Sequence, residues 1–176
     1  MYEFTGRVTA LSGTLPSGDQ GTRVTLAMMR DLALAGAKDP RVRETAISIV
    51  RGAGGLEHNL VAQLGALHRF VRDHITFIGD VYGVETLQAP QYTLRVRAGD
   101  CDDRATLLAA LARSINIPAE LRFRVVAANP RNPSQFSHVY VVARINGKDV
   151  PMDPTYHSNG LGYEYPGVTR REDFRL

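Results

Sequence analysis

A single cysteine, Cys101, stands in Gly99-Asp100-Cys101-Asp102-Asp103-Arg104, where a polar stretch turns into an apolar helix. A thiol at a helix start meets unpaired backbone N–H groups and the positive end of the helix dipole, both of which favour an anion. The setting predicts a nucleophile of lowered pKa, coupled to a base. Downstream lie His138 in Ser137-His138-Val139-Tyr140 and Asp153 in Met152-Asp153-Pro154, each in strand-like surroundings. Cysteine, histidine and aspartate in this order are the parts of a thiol acyl-transfer triad. The sulfur attacks a carbonyl, the imidazole carries the proton, and the carboxylate fixes the tautomer of the ring. The Cys101 N–H can face the developing oxyanion, and Gln88 or Gln91 is the candidate second donor.

The pairing of His138 with Asp153 follows from a turn. Asn146-Gly147 between two β-prone runs reads as a two-residue hairpin connection. It sets Ile145 opposite Lys148 and, by the same register, position 138 opposite 155, so His138 and Asp153 share one sheet face as diagonal neighbours. Diagonal Cα atoms lie about 7–8 Å apart, a gap these two side chains can close. Pro151 lacks the N–H a ladder needs, which puts its strand at an edge or a bulge. A one-residue slip would send Asp153 to the other face, and Asp153-Pro154 alone reads equally as a strand-ending turn.

Plainer readings stand beside these. A lone cysteine commonly packs as a small hydrophobe. Asp100, Asp102 and Asp103 argue for an exposed setting and oppose a thiolate; one is expected as the helix cap, the others as partners of Arg104 or neighbouring arginines. A metal site of Cys101, His138 and a carboxylate lacks CxxC or HxxxH spacing, and neither metal nor other cofactor is expected. His58, His68 and His74 fall in or beside one helix as solvent-facing or packing residues. His157, on a loop after the hairpin, is the alternative base on a less rigid platform.

The elements that must position these groups are legible in outline. A β-prone piece, Arg7 to Leu11, and a turn-rich stretch to Gly21 form an N-terminal arm. Val24, Met28, Leu32 and Ala35 mark a helix from Thr22 that stops at Gly36. Asp39-Pro40 caps and opens a second helix through about Val50. Leu56, Leu60, Leu64, Leu67 and Val71 give a third helix to about His74, with Ile75 to Ile78 extended after it. Residues 79–98 read as one long loop leading to the cysteine. The helix after Cys101 carries apolar residues on most of its surface and ends before Pro118. A strand over Leu121 to Val125 and the hairpin from Val139 to Asp153 follow, and Tyr156 to Leu176 reads as a surface wrap or tail.

Length bounds the rest. With 176 residues, 44% of them hydrophobic, the chain suits one domain: residues 1–55 an arm and helices, 56–157 the core, 158–176 the tail. The net charge of +3 comes from scattered arginines without a basic block, so no nucleic-acid partner is expected. Apolar runs fall short of the ~20 residues that cross a bilayer, so no membrane partner is expected either. One cysteine and a start without a signal-peptide pattern suit a reducing cytoplasm.

Taken in order, Gly99-Asp100-Cys101 with Asp103, the apolar helix ending before Pro118, Ser137-His138-Val139 and Val150-Pro151-Met152-Asp153-Pro154 resemble the transglutaminase-like superfamily. Their spacing is similar to that of its small bacterial and phage-encoded members. The resemblance spans about residues 56–157. It implies an α+β fold with a papain-like core, in which the cysteine-bearing helix packs on an antiparallel sheet beside an N-terminal helical region. It also implies Cys101 as nucleophile, His138 as base and acid, and Asp153 as the orienting carboxylate. The chain has no tryptophan, so the tryptophan oxyanion donor of animal transglutaminases does not carry over. Hydrolysis of a peptide or amide in a peptide or protein substrate is then the simpler activity, with acyl transfer to an amine next. The alternative is a catalytically silent interaction or structural module of the same fold, phage-associated or otherwise.

Overall fold

The structure is a computed structural model that describes residues 10–13, 16, 18–54, 59–79 and 85–176. The expectations for Arg7 to Thr9, for Leu56 and His58, and for 80–84 lie outside the described residues. Among the described residues there are five helices: α1 (Asp19–Gly36), α2 (Pro40–Gly52), α3 (Leu60–His74), α4 (Pro90–Val96) and α5 (Cys101–Ser114). The strands are β1 (Ala10–Gly13), β2 (Thr76–Phe77), β3 (Glu85–Gln88), β4 (Ala98–Gly99), β5 (Glu120–Val126), β6 (His138–Ile145), β7 (Lys148–Met152) and β8 (Arg171–Arg175). The fold is α+β.

Local chemistry sets the helix starts. Asp39 accepts from the Arg41 N–H at 2.8 Å with Pro40 at the first helical position, and Asn59 accepts from the Ala62 N–H at 3.0 Å. Such caps are each worth about 1 kcal/mol. α1 begins at Asp19 rather than at Thr22, because Gly18 at φ 69° turns the chain into it.

α5 is the centre of the molecule. Leu107, Leu108 and Leu111 are fully buried, and α5 packs against α1, α2, α3, α4 and β6. Each such leucine contributes about 1.5–3 kcal/mol over an exposed one. Beneath it lies the four-stranded antiparallel sheet, in the order β7-β6-β5-β8. Leu121, Phe123, Val125, Val139, Val141 and Met152 face the helices in one large cluster, whereas Val126, Tyr140 and Val142 form a smaller cluster on the opposite face.

The hairpin closes as its turn demands. Ile145 pairs with Lys148, Val142 with Pro151 and Val141 with Met152. Asn146 (φ 50°) and Gly147 (φ 77°) supply the two left-handed conformations that this turn requires. β7 is an edge strand, so Pro151 breaks no ladder.

Two segments depart from expectation. Residues 79–98 are not one loop: β3 pairs with β1, α4 follows, and β4 runs parallel to β2. A seven-residue helix opened by Pro90 is too short to display a hydrophobic period. The C-terminal segment is not merely a surface wrap either, since β8 pairs with β5 and completes the sheet.

Candidate active site

Cys101 is the first residue of α5, and its acidic neighbours build that helix start. Asp100 Oδ1 accepts from the N–H groups of Asp102 (3.1 Å) and Asp103 (3.2 Å), while Asp103 Oδ2 accepts from the Asp100 N–H at 3.4 Å, a reciprocal capping box. The other oxygen of Asp103 accepts from the Gln88 N–H at 2.7 Å, tying β3 to the same turn. Asp102 and Asp103 are therefore buried, contrary to the exposed setting expected of them. Gly99 is fixed by the same arrangement, since a Cβ there would lie 2.6 Å from Asp103 Cβ.

His138 opens β6, and Asp153 directly follows β7. Nε2 of His138 lies 2.9 Å from Asp153 Oδ2, on the shared face that the hairpin register requires. Asp153 is fully buried and accepts three further donors. Its Oδ1 takes the Thr155 N–H at 3.0 Å, its Oδ2 also takes Asn159 Nδ2 at 2.8 Å, and its carbonyl takes His68 Nε2 at 2.9 Å. Because Nε2 of His138 is engaged by the carboxylate, Nδ1 is the nitrogen left for a reacting proton. Cys101 and His138 line one open cavity of about 450 Å³, with Asp100 and Asp102 beside the thiol and Thr25 and Met29 of α1 on the facing wall.

Residues 46–154 match the family model for the transglutaminase-like superfamily. The chain belongs to the transglutaminase-like superfamily. A provisionally named protease from Parabacteroides distasonis shares the fold, with 12% identity and a TM-score of 0.53 over 84% of this chain and 31% of that one. A provisionally named cysteine protease from Cytophaga hutchinsonii aligns at 22% identity and a TM-score of 0.49, over 75% of this chain and 42% of the other. The chain thus spans less than half the length of either. No curated protein was found to match it.

Within this superfamily member the electrostatics of the cysteine reverse the sequence expectation. Burial, then the charges of Asp102 and Asp100, push the Cys101 thiol well up, and the sulfur donates to Asp102 Oδ1 at 3.4 Å. The Val139 N–H, directed at the sulfur, pulls the other way without prevailing. The resting group is a thiol, because burial, together with the charges of Asp102 and Asp100, outweighs a helix dipole that would otherwise favour the anion. Burial also opposes ionisation of Asp153, but the bonds from His138 and Thr155 outweigh it and hold that carboxyl below its ordinary value.

The remaining sequence candidates are placed elsewhere. Neither Gln88 nor Gln91 lines the cavity with Cys101. The Gln88 side-chain oxygen accepts from Thr93, and Gln91 Oε1 is buried in α4 without a partner. His157 is 83% exposed at its side chain and meets Asp73 at 3.5 Å, away from the thiol. His74 stacks on Phe70. The Cys101 N–H is not taken up by the Asp100 cap, which engages the next two residues.

Three supporting residues had no signal strong enough to single them out. His68, only 1% exposed, holds the Asp153 backbone; burial lowers its pKa, so the ring is neutral and donates from Nε2. Arg104, 2% exposed, does not pair with carboxylates as expected but donates to the carbonyls of Thr155, Val71 and Arg72. Tyr165 packs its ring 5.0 Å from that of His138.

Proposed function

We propose that the chain is a cysteine-dependent acyl-transfer enzyme acting on a peptide or protein substrate, with Cys101 as nucleophile, His138 as base and acid, and Asp153 as the orienting carboxylate. The observation that carries this reading is the His138 Nε2 to Asp153 Oδ2 bond at 2.9 Å, in a ring whose other nitrogen is free for the cavity shared with Cys101.

Because the thiol rests protonated, attack is coupled to proton transfer rather than drawn from a standing thiolate. Sγ bonds to the substrate carbonyl carbon as its proton passes to His138 Nδ1. The carbonyl electrons move to oxygen, where the unused Cys101 N–H stabilises them. Asp153 steadies the imidazolium. The C–N bond then breaks, the amine leaves with the proton from His138, and a thioester remains. Water or a second amine attacks it with His138 again as base, and the thiol is restored. Hydrolysis is the simpler outcome, since water needs no acceptor site.

The silent-module reading is favoured by one observation, the thiol held by Asp102 and pushed up in pKa. An electrophilic activity probe and a panel of peptides and glutamine-containing proteins, followed by mass spectrometry of the intact chain, separate the two. Acylation at Cys101 that vanishes in Cys101→Ala and drops steeply in His138→Ala supports the enzyme. No acylation by any of them supports the module.

A further inference from the structure

We propose that Asn159 and Tyr165, on the segment beyond the family-matched residues 46–154, are positioning residues for the His138–Asp153 pair. The catalytic importance of this rests on the acyl-transfer reading above; the geometry itself does not.

Asn159 is 3% exposed, and its Nδ2 donates at 2.8 Å to the same Asp153 oxygen that accepts from His138 Nε2 at 2.9 Å. The carboxylate torsion of an aspartate is soft and nearly two-fold. Here the Thr155 N–H pins one oxygen and Asn159 the other, so the plane of the acceptor facing His138 is set from both sides. Asn159 is in turn fixed through its backbone, with its N–H donating to the Tyr156 carbonyl at 2.9 Å and its carbonyl accepting from Arg72 at 3.3 Å.

Tyr165 acts on the ring. Its centroid stands 5.0 Å from that of His138 at an interplanar angle of 59°, and its hydroxyl contacts Asp153 and Asn159. Burial and the Asp153 charge push its phenol up, so it stays neutral beside the carboxylate. The neighbouring Glu164 is anchored by Arg124, whose guanidinium also binds Asp149 and Asp173, and by the Tyr140 hydroxyl at 2.7 Å. The outer face of the sheet thereby holds the segment that holds the imidazole.

The test reads the tautomer of His138 in the full chain, labelled with nitrogen-15 histidine, together with the alkylation rate of Cys101 by chloroacetamide. The wild type holds its proton on Nε2. We expect Asn159→Ala and Asn159→Asp, which both lack the N–H, to give mixed tautomers and alkylation about ten- to a hundredfold slower at neutral pH, with thermal unfolding still cooperative. Asn159→Ser, which retains a short donor, recovers part of the rate. Wild-type tautomer and rate in both donor-free variants would overturn the proposal. If neither folds, Tyr165→Phe removes only a hydroxyl and takes their place, with a slowed rate supporting the proposal and unchanged rate and tautomer refuting it. Wild-type alkylation in His138→Ala would sink the acyl-transfer reading instead, while the tautomer readout would still decide the positioning.

Discussion

The Arg104 guanidinium donates to the Thr155 carbonyl at 2.9 Å, joining the helix that starts at Cys101 to the turn that presents Asp153. Its other terminal nitrogen serves the Val71 and Arg72 carbonyls in the last turn of α3, where a cation also meets the negative end of the helix dipole. One buried side chain thus fixes three segments relative to one another.

Arg104→Lys tests that joint. A single ammonium cannot span three carbonyls on two segments as a planar fork does, and each buried carbonyl left without a donor costs about 1–3 kcal/mol. We expect a loss of about 2–4 kcal/mol in urea unfolding. A loss below ~1 kcal/mol would mean that the carbonyls find other donors.

Gly99→Ala tests the helix start. The new Cβ would meet Asp103 Cβ at 2.6 Å and Oδ2 at 2.8 Å, distances that force Asp103 out of the capping box and away from the Gln88 N–H. We expect a destabilisation of about 1–3 kcal/mol and a slower reaction of Cys101 with alkylating agents. A variant as stable and as reactive as the wild type would show that the turn yields without cost.

How far the sequence carries this site depends on whether the signal is local. Asn146-Gly147 fixes the hairpin register and hence the shared face of His138 and Asp153, because the side-chain period of a strand is two and the turn permits one pairing. Asp39-Pro40 and Asp100 mark helix starts for equally local reasons. Asn159, Tyr165, His68 and Arg104 give no such signal. The roles of His68 and Arg104 arise from contacts between distant segments, 85 residues apart for His68 and Asp153 and 51 for Arg104 and Thr155, whereas Asn159 meets Asp153 across only 6 residues of irregular chain that carries no period to read. The direction in which the thiol pKa moves is hidden similarly: dipole and cap are visible in Asp100-Cys101, whereas the burial that outweighs them is not.

The raised thiol has a signature in pH. A cysteine whose folded pKa exceeds its unfolded one contributes stability below the unfolded value, about 8.5, and loses it as pH rises through the folded one. The wild type should lose stability above that point more than Cys101→Ala does. Asp102→Asn removes an anion beside the sulfur, so its thiol should ionise at lower pH. Its alkylation at neutral pH should then be faster, by about tenfold for each pH unit that the thiol titration moves down. Slower alkylation in Asp102→Asn would show instead that Asp102 assists the thiol.

Asp153→Asn joins mechanism to stability. The two carboxylate oxygens accept from His138, Asn159 and the Thr155 N–H, and an amide offers one oxygen where two are needed. One buried donor is then left unpaired or His138 turns to its other tautomer, so we expect a folded protein weaker by about 1–3 kcal/mol near neutral pH. Any acyl-transfer rate should fall by up to about 10⁴-fold, as in other triads that lose the orienting carboxylate. The sign of the pH effect is fixed as well. A carboxyl held below 3.8 contributes stability that is complete above that value and lost as pH falls through its lower folded pKa. The part of the stability gap between wild type and Asp153→Asn that belongs to this carboxylate should therefore shrink as pH falls below about 4. A gap that keeps growing below about 4 would mean that Asp153 is protonated in the folded protein, and the orienting role assigned to it would fall.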